Sequence, residues 1–168
     1  MRHTIHDGPL GPLTYVADDD AIVGIYFPGH WVKPAQDDFG VQVSPDDDEI
    51  LALATAQLDD YAAGERQEFT VPVATNGDAL SEQVWALLRQ IPYGATTTYG
   101  ELARQLGNPH LAQAVGRSVG HNPISIVIPC HRVIGSDGSL TGYAGGLDRK
   151  RFLLELEEPA EAKAARLF

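Results

Sequence analysis

One ten-residue run constrains the fold of this chain more than any other feature: Ile124 to Val133, with the sequence ISIVIPCHRV. Its first five residues are mostly bulky β-branched aliphatics, a pattern typical of a short buried strand. Pro129 ends that strand, because proline has no backbone N–H to donate and its φ is fixed. The run therefore predicts a buried strand that holds Cys130 at its rigid end.

Cys130 is the only cysteine among the 168 residues. A lone cysteine is most often a small buried hydrophobic side chain without chemistry. Here an imidazole and a guanidinium follow directly, in His131 and Arg132, and both favour the thiolate form that acts as a nucleophile. A single cysteine also excludes an intramolecular disulfide and a multi-cysteine zinc site, and it suits a reducing compartment such as the cytoplasm.

The charge of the chain is strongly uneven. The net charge is −11, which at first argues against a nucleic-acid partner, because phosphate contacts require Lys and Arg. All of the excess lies in the first 77 residues, which carry 14 acidic and 3 basic side chains, whereas the remainder carries nine of each. The half that contains Cys130 therefore permits a DNA-binding face. No apolar run approaches the length that would span a membrane.

The first half has the pattern of a small αβ unit. Three histidines lie in it without ligand spacing, so no metal site is expected. Ser44, followed by Pro45 and four acidic residues, predicts the start of a helix that ends near Gly64. A polar, turn-prone linker at Ala74–Asp78 places a domain boundary there, giving domains 1–77 and 78–168. Strands are predicted at Leu13–Val16, Ala21–Phe27 and, as an edge strand, Phe69–Val73.

The second half is predicted to be mainly helical. An amphipathic helix covers Leu80–Ile91, and a final helix covers Asp148–Glu157. Thr98 and Glu101 form a capping box that opens another helix. After Gly107-Asn108-Pro109, a further helix runs to about Gly120. Two short helices joined by a tight glycine-containing turn are the outline of a helix-turn-helix.

The second helix of that pair has an unusually small surface. One interpretation is tight helix–helix packing, and the other is a helix that approaches a narrow DNA groove closely. The sequence leaves both open. The small residues are Ala112, Ala114, Gly116, Ser118 and Gly120.

A nucleophilic site needs a base, a group that orients the base, and a pocket. His131 is the nearest base to Cys130, but adjacent residues of an extended chain point to opposite sides, so a bridging water is expected between them. Glu157 is one of several carboxylates that could fix the second imidazole nitrogen. The glycine-rich segment Thr141–Leu147 lacks any nucleotide-phosphate fingerprint, and it is expected to form a wall beside the thiol.

The motif Pro-Cys-His-Arg-Val, with matching sequence over roughly Val84 to Glu157, resembles the O6-alkylguanine-DNA alkyltransferase family. The resemblance implies an α+β protein. A ribonuclease-H-like αβ domain would precede a helical, winged-helix-like domain that carries the helix-turn-helix. It further implies a monomer that binds double-stranded DNA through the minor groove and needs neither cofactor nor metal.

The resemblance also assigns roles to individual residues. Cys130 would accept the alkyl group, His131 and Glu157 would form a water-bridged relay, and Asn122 would brace the active-site turn. Tyr99 would crowd the target phosphate and donate to guanine N3. Arg132, grouped with the DNA-contacting residues, would pin the surrounding structure. The base pocket would be formed by Tyr143 and Gly145 and by main-chain groups of Cys130, Val133 and Ala144, and the DNA contacts by Tyr99, Ala112, Gln113, Ala114, Gly116 and Arg117.

The implied reaction is DNA repair by direct reversal. Cys130 would take the alkyl group from O6-alkylguanine, or O4-alkylthymine, after the base has left the stack, and the protein would act once. Gln113 stands where the family has an arginine that fills the space left by the flipped base, so extrusion from duplex DNA is expected to be weakened. A protein that binds damage with little repair is therefore an alternative.

The residues are also compatible with two unrelated functions. A cysteine hydrolase would use Cys130 and His131, although adjacent placement is poor for that chemistry. A structural winged-helix regulator would not need the thiol at all.

Overall fold

The N-terminal half is built on a mixed four-stranded sheet. The computed structural model describes residues 1–30 and 33–167, with side chains up to residue 163. The strand order is β3-β2-β1-β4, antiparallel except for the parallel β1–β4 pair. The first strand was not predicted, because the side chains it buries, His3 and Thr4, are polar and leave no hydrophobic alternation. The strands are β1 (Arg2–Gly8), β2 (Gly11–Asp18), β3 (Ala21–Tyr26) and β4 (Val41–Gln42).

One long helix, α1 (Glu49–Ala62), packs on this sheet. It begins later than predicted. Ser44 caps only a short 3-10 turn, Pro45–Asp47, and the carboxylate of Asp48 caps the helix itself by accepting the N–H of Leu51 at 3.0 Å. Both residue types are good N-caps, and the sequence alone did not distinguish two consecutive starts from one.

The C-terminal half is helical, with a two-stranded parallel pairing of β5 with β6. Half of the predicted capping box is confirmed: Thr98 accepts the N–H of Glu101 at 3.1 Å, whereas the Glu101 carboxylate accepts from Arg104. The predicted helix at Leu80–Ile91 ends earlier, at Leu88. The elements are α2 (Ala79–Leu88), β5 (Thr97–Thr98), α3 (Tyr99–Gln105), α4 (Ala112–Gly120), β6 (Val133–Ile134), α5 (Leu147–Glu157) and α6 (Ala160–Leu167), with a 3-10 turn at Pro109–Leu111 before α4.

The prediction of a buried strand at Ile124–Ile128 was wrong. The segment is fully buried, but its backbone folds on itself: the N–H of Ile128 donates to the carbonyl of Ile124 at 3.0 Å, and Ile126 has a φ of +75°. A β-branched residue rarely adopts that conformation, so the surrounding packing must impose it. Hydrophobicity had signalled burial correctly, but burial does not distinguish a strand from a compact turn.

The two halves share one hydrophobic core and a short backbone pairing. Ile25 of β3 donates to the carbonyl of Pro123 at 2.8 Å and accepts the N–H of Ser125 at 3.3 Å. The outer edge of β3 thereby carries the turn that leads to Cys130. The predicted edge strand at Phe69–Val73 is reduced to a single bridge between Val73 and Ile22 on the same edge. No helix in the described part of the chain is long and apolar enough to cross a bilayer.

Candidate active site

Asn122 braces the turn that presents the cysteine. Its amide nitrogen donates to the carbonyl of Ile128 at 2.8 Å, and its amide oxygen accepts the N–H of Ile124 at 3.0 Å. One buried side chain therefore ties together both ends of the irregular segment, which has few ladder hydrogen bonds of its own. This is the bracing position that the family resemblance implied for it.

Cys130 opens a 3-10 turn, Cys130–Arg132, and its thiol borders a cavity of about 210 Å³. The cavity is smaller than the roughly 300–1,000 Å³ of sites for drug-sized ligands, so it suits one small flat molecule. One wall comes from the two helices of the helix-turn-helix outline, and the other from three separate loops. The first wall is Tyr99, Gly116, Val119 and Gly120; the second is His30, Asn122, Ser125, Gly142, Tyr143 and Ala144.

Burial raises the pKa of the Cys130 thiol, although Asn122 and the charge of Lys150 act in the opposite direction. The thiol is therefore held in its protonated form at rest, and it needs a base to become a nucleophile.

His131 and Glu157 form the pair that could supply that base. His131 Nε2 lies 2.7 Å from a carboxylate oxygen of Glu157, and both side chains are buried. Burial alone would raise the pKa of Glu157, but hydrogen bonds from His131 and Arg132 hold it at about 2. Because the carboxylate is ionised, Nε2 must carry the proton, and Nδ1 is left as a lone-pair acceptor. Nδ1 is buried without a partner among the described residues.

His131 itself stays neutral near pH 7. Burial lowers its pKa, and the opposing effect of Glu157 does not overcome this. A neutral imidazole with a free Nδ1 can accept a proton, which is the state a general base requires. The pair Glu157–His131 thus has the orienter-and-base arrangement predicted from the sequence.

The prediction that Arg132 contacts DNA is not supported by its position. Arg132 is 6 % exposed, and its guanidinium donates to both oxygens of Glu157, at 2.7 and 2.9 Å, and to the carbonyl of Ile91 at 2.6 Å. A guanidinium engaged in this way is unavailable to a phosphate. Its position fits the other implied role, which is to pin the structure around the site.

Tyr99 lies at the start of α3 and faces the cavity from the helix-turn-helix side. Its hydroxyl is 2.7 Å from Oγ1 of Thr141, which belongs to the glycine-rich segment. Burial raises the pKa of this phenol, so it stays protonated and able to donate. Gly116 of α4 lies beside the Tyr99 ring, and a Cβ at this position would meet that ring at 3.7 Å, an ordinary van der Waals contact.

The glycine-rich segment forms the opposite wall. Tyr143 is buried and packs edge-on against Phe27, with ring centroids 5.8 Å apart. A Cβ at Gly145 would collide with the same Phe27 ring, so glycine is required there for close packing. Ala144 borders the cavity directly. The carbonyl of Val133 accepts from Nζ of Lys150 at 2.7 Å, which fixes the end of the cysteine-bearing turn.

Helix α4 has one packed face and one exposed face. Ser118 packs on α2, where its carbonyl accepts the indole N–H of Trp85 at 2.8 Å. On the other face Gln113 and Arg117 are exposed, without side-chain hydrogen bonds within the described chain. Small residues therefore serve both interpretations: Ser118 allows close packing on α2, whereas Ala112, Ala114 and Gly116 are partly accessible.

Three site residues were not predicted from the sequence. Lys150, 1 % exposed, donates to the carbonyls of Val133 and Thr141, and burial lowers its pKa to about 8. His30 borders the cavity from the N-terminal half, and Tyr61 of α1 donates to Glu157. No local pattern indicates any of them. In the sequence, Lys150 is one of three basic residues in an ordinary helix. His30 and Tyr61 lie in the N-terminal half and act across the domain junction.

Two family models match the chain. Residues 1–75 match the ribonuclease-like domain of 6-O-methylguanine DNA methyltransferase, and residues 79–159 match its DNA-binding domain. The chain therefore belongs to the 6-O-methylguanine DNA methyltransferase family. The predicted α+β fold, with a ribonuclease-like first domain and a DNA-binding second domain, is confirmed. The boundary at residues 77 and 78 stays a prediction.

Individual relatives agree over nearly the whole chain. A methylated-DNA–protein-cysteine methyltransferase of Methanosarcina acetivorans is 43 % identical over 94 % of this chain and 98 % of its own. Its counterpart from Mycobacterium tuberculosis is 44 % identical over 90 % of this chain and 89 % of its own. The crystal structure of Mycobacterium tuberculosis OGT in complex with DNA superposes with a TM-score of 0.85 at 41 % identity, covering 94 % of this chain and 93 % of that one.

Proposed function

We propose that this protein repairs alkylated DNA by moving the alkyl group from O6 of guanine to the sulfur of Cys130. The observation that carries the proposal is a thiol at a small cavity with a buried Glu157–His131 pair in the adjoining turn. The wall of that cavity next to α4 belongs to the half that matches a DNA-binding domain. The names of the relatives, which describe methylated DNA and an acceptor cysteine, support the same activity.

The chemistry is a single displacement. The thiol proton passes to Nδ1 of His131 through a bridging water, and the resulting thiolate attacks the alkyl carbon. The S–C bond forms as the C–O6 bond breaks, and the electron pair of that bond leaves with guanine. The departing base takes one proton from water in place of the alkyl group, and the proton held by His131 returns to water. Tyr99, which keeps its hydroxyl proton, is placed to support the departing base.

The target base must leave the duplex to reach the thiol. Extrusion costs a few kcal/mol, and the cavity, which α4 borders, could receive the flipped base. The partly accessible small residues of α4 suit a close approach to the narrow minor groove. O4-alkylthymine, whose ring is smaller than that of guanine, is a further substrate of the same cavity. Action as a monomer stays a prediction of the family resemblance.

The product is a stable thioether, and the protein acts once. No second nucleophilic thiol exists in the sequence to take the alkyl group from Cys130. Repair therefore consumes the protein stoichiometrically.

Gln113 makes duplex repair inefficient relative to the thiol chemistry. It lies on the exposed face of α4, where a side chain could enter the space left by the flipped base. Glutamine can hydrogen-bond there, but it is shorter than arginine and uncharged. The second candidate function is a damage binder with weak repair, and this substitution is the observation that favours it.

Intact-mass measurement after one exposure to O6-methylguanine DNA tests the proposal. The protein should gain one methyl group, and peptide mapping should place it on Cys130. Cys130→Ser should gain nothing while still binding DNA. An unchanged wild-type mass would contradict the proposal and favour the damage binder. Steady turnover of an ester or peptide substrate would instead indicate a cysteine hydrolase.

A further inference from the structure

Tyr61 joins the N-terminal domain to the group that orients the base. It lies in the last turn of α1 and is fully buried. Its ring packs edge-on against Tyr93 and at a tilt against Phe69, with centroids 6.2 and 5.4 Å away. Its hydroxyl donates to the carboxylate of Glu157 in a short hydrogen bond. The ring contacts fix the hydroxyl in place, so the bond does not depend on a mobile side chain.

The oxygen that Tyr61 contacts is the one that orients the imidazole. Oε2 of Glu157 accepts from Tyr61, from Nε2 of His131 at 2.7 Å and from Nη2 of Arg132 at 2.9 Å. The other oxygen accepts from Nε of Arg132 at 2.7 Å. Three donors thus share one oxygen. Each donor withdraws electron density, so each weakens that oxygen as an acceptor for the other two.

We propose that Tyr61 is a positioning residue that moderates the basicity of His131 through Glu157, and so lets the N-terminal domain set how readily Cys130 is activated. The inference rests on the proposed function, because it concerns the proton relay of that reaction. Tyr61 does not border the cavity, and it meets the relay through its hydrogen bond to the carboxylate of Glu157.

The charged and polar groups around His131 show how the effect of Tyr61 differs from the others. His131 is influenced by Glu157, by the cations of Arg132 and Lys150, and by burial. Tyr61 is influenced by Glu157, Arg132 and Tyr93, and burial raises its pKa, so its hydroxyl stays a donor throughout the working pH range. The positive charges of Arg132 and Lys150 disfavour protonation of His131. Tyr61 opposes it without charge, by weakening the carboxylate that would stabilise the imidazolium.

The sign of the effect follows directly. Removing the Tyr61 hydroxyl makes Glu157 a stronger acceptor, and a stronger acceptor stabilises the protonated imidazole. His131 then holds its own proton up to a higher pH, and it can accept the thiol proton only above that pH. The rate of alkyl transfer should therefore fall at acid pH, where His131 is now protonated, and stay unchanged at alkaline pH.

The test compares full-length wild type, Tyr61→Phe and Tyr93→Phe. Tyr93 is the matched control, because its hydroxyl lies in the same layer but donates to the carbonyl of Leu156 at 3.1 Å. The rate of alkyl transfer from an O6-alkylguanine free base is measured from pH 5 to 9 by intact mass, which removes DNA binding from the comparison. Tyr61→Phe should raise the acid midpoint by about half a pH unit, less than the roughly one to two units of a direct hydrogen bond to a charged group, because the effect reaches His131 through Glu157. Tyr93→Phe should leave it in place.

A second substitution gives the opposite sign. Site-specific 3-fluorotyrosine at position 61 keeps the ring and is a stronger donor, so it should move the acid midpoint downward. This arm stays informative if Tyr61→Phe folds poorly. A midpoint that is unchanged in both proteins, or a loss of rate that is equal at every pH, overturns the inference. Failure of the wild type to gain an alkyl group at any pH overturns the proposed function instead.

Discussion

The polar groups around Glu157, called the thiol region below, differ from those on the exposed face of α4 in their hydrogen-bond partners. Glu157 accepts four hydrogen bonds from three residues of its own chain, and every one of those donors is buried. Gln113 and Arg117 have none from their side chains within the described chain. Groups of the first kind are fixed before any ligand arrives, whereas groups of the second kind are available to a partner. A substitution in the first region should therefore affect folding and chemistry together, and one in the second should affect binding alone.

The largest expected effect is that of Glu157→Gln. The neutral amide leaves Arg132 buried without a counter-charge, which costs about 3–5 kcal/mol. It also replaces the charged acceptor that orients His131 with a weaker, neutral one, so alkyl transfer should slow by at least about tenfold even on a free base. Denaturant unfolding and intact-mass kinetics measure the two effects. Glu155→Gln, on the exposed side of the same helix, is the control and should change neither.

The same carboxylate should make wild-type stability depend on pH. Its pKa of about 2 lies below the ordinary 4.5, so it stabilises the fold above pH 4.5 and loses that contribution as the pH falls toward 2. The Gln variant lacks this dependence. If both proteins lose stability in parallel over that range, the buried ion pair is not what stabilises the thiol region.

An intermediate effect is expected for Gln113→Arg. A longer, charged side chain should stabilise the duplex after the base leaves it by about 1 kcal/mol, roughly fivefold in the rate on duplex DNA. The rate on a free base should not change, because Gln113 is exposed and does not border the cavity of Cys130. Gln105→Arg, exposed on α3, adds the same charge elsewhere as a control. An unchanged ratio of duplex to free-base rates would contradict the role given to Gln113.

The smallest effect is expected for Arg117→Gln. Loss of one phosphate contact should weaken DNA binding modestly and lower the slope of log affinity against log salt by about one. Stability and free-base transfer should stay at wild-type values. Arg151→Gln on α5 controls for the loss of one positive charge. An equal change in DNA affinity and salt slope in both variants would mean that α4 is not the surface that binds DNA.

The same two regions explain how far the sequence could predict the molecule. Local chemistry was sufficient for the cap at Thr98, which accepts the N–H of Glu101, but not for the first helix, where Asp48 is the cap in place of Ser44. It was insufficient for the turn around Ile126, because a run of buried aliphatics is compatible with several backbone shapes. Strand β1 was not predicted, because it buries His3 and Thr4 in place of apolar residues.

The other differences between the predictions and the structure come from contacts between residues that are far apart in the sequence. The prediction of Glu157 as the orienting carboxylate came from the resemblance, since several carboxylates were available. Tyr61, 96 positions away from Glu157, carries no local signal, and its role appears only when α1 and α5 are brought together. Arg132 was grouped with the DNA contacts, yet its burial beside Glu157 gives it an internal partner.

The pairing of Ile25 with Pro123 and Ser125 has a consequence for any attempt to shorten this protein. The segment that leads to the reactive sulfur completes its backbone hydrogen bonding with an edge that belongs to the other domain. A truncated version that begins at residue 79 would leave those peptide groups to solvent and withdraw the support that forces Ile126 into its unusual conformation. Any shortened form of this protein would therefore need a substitute for that edge.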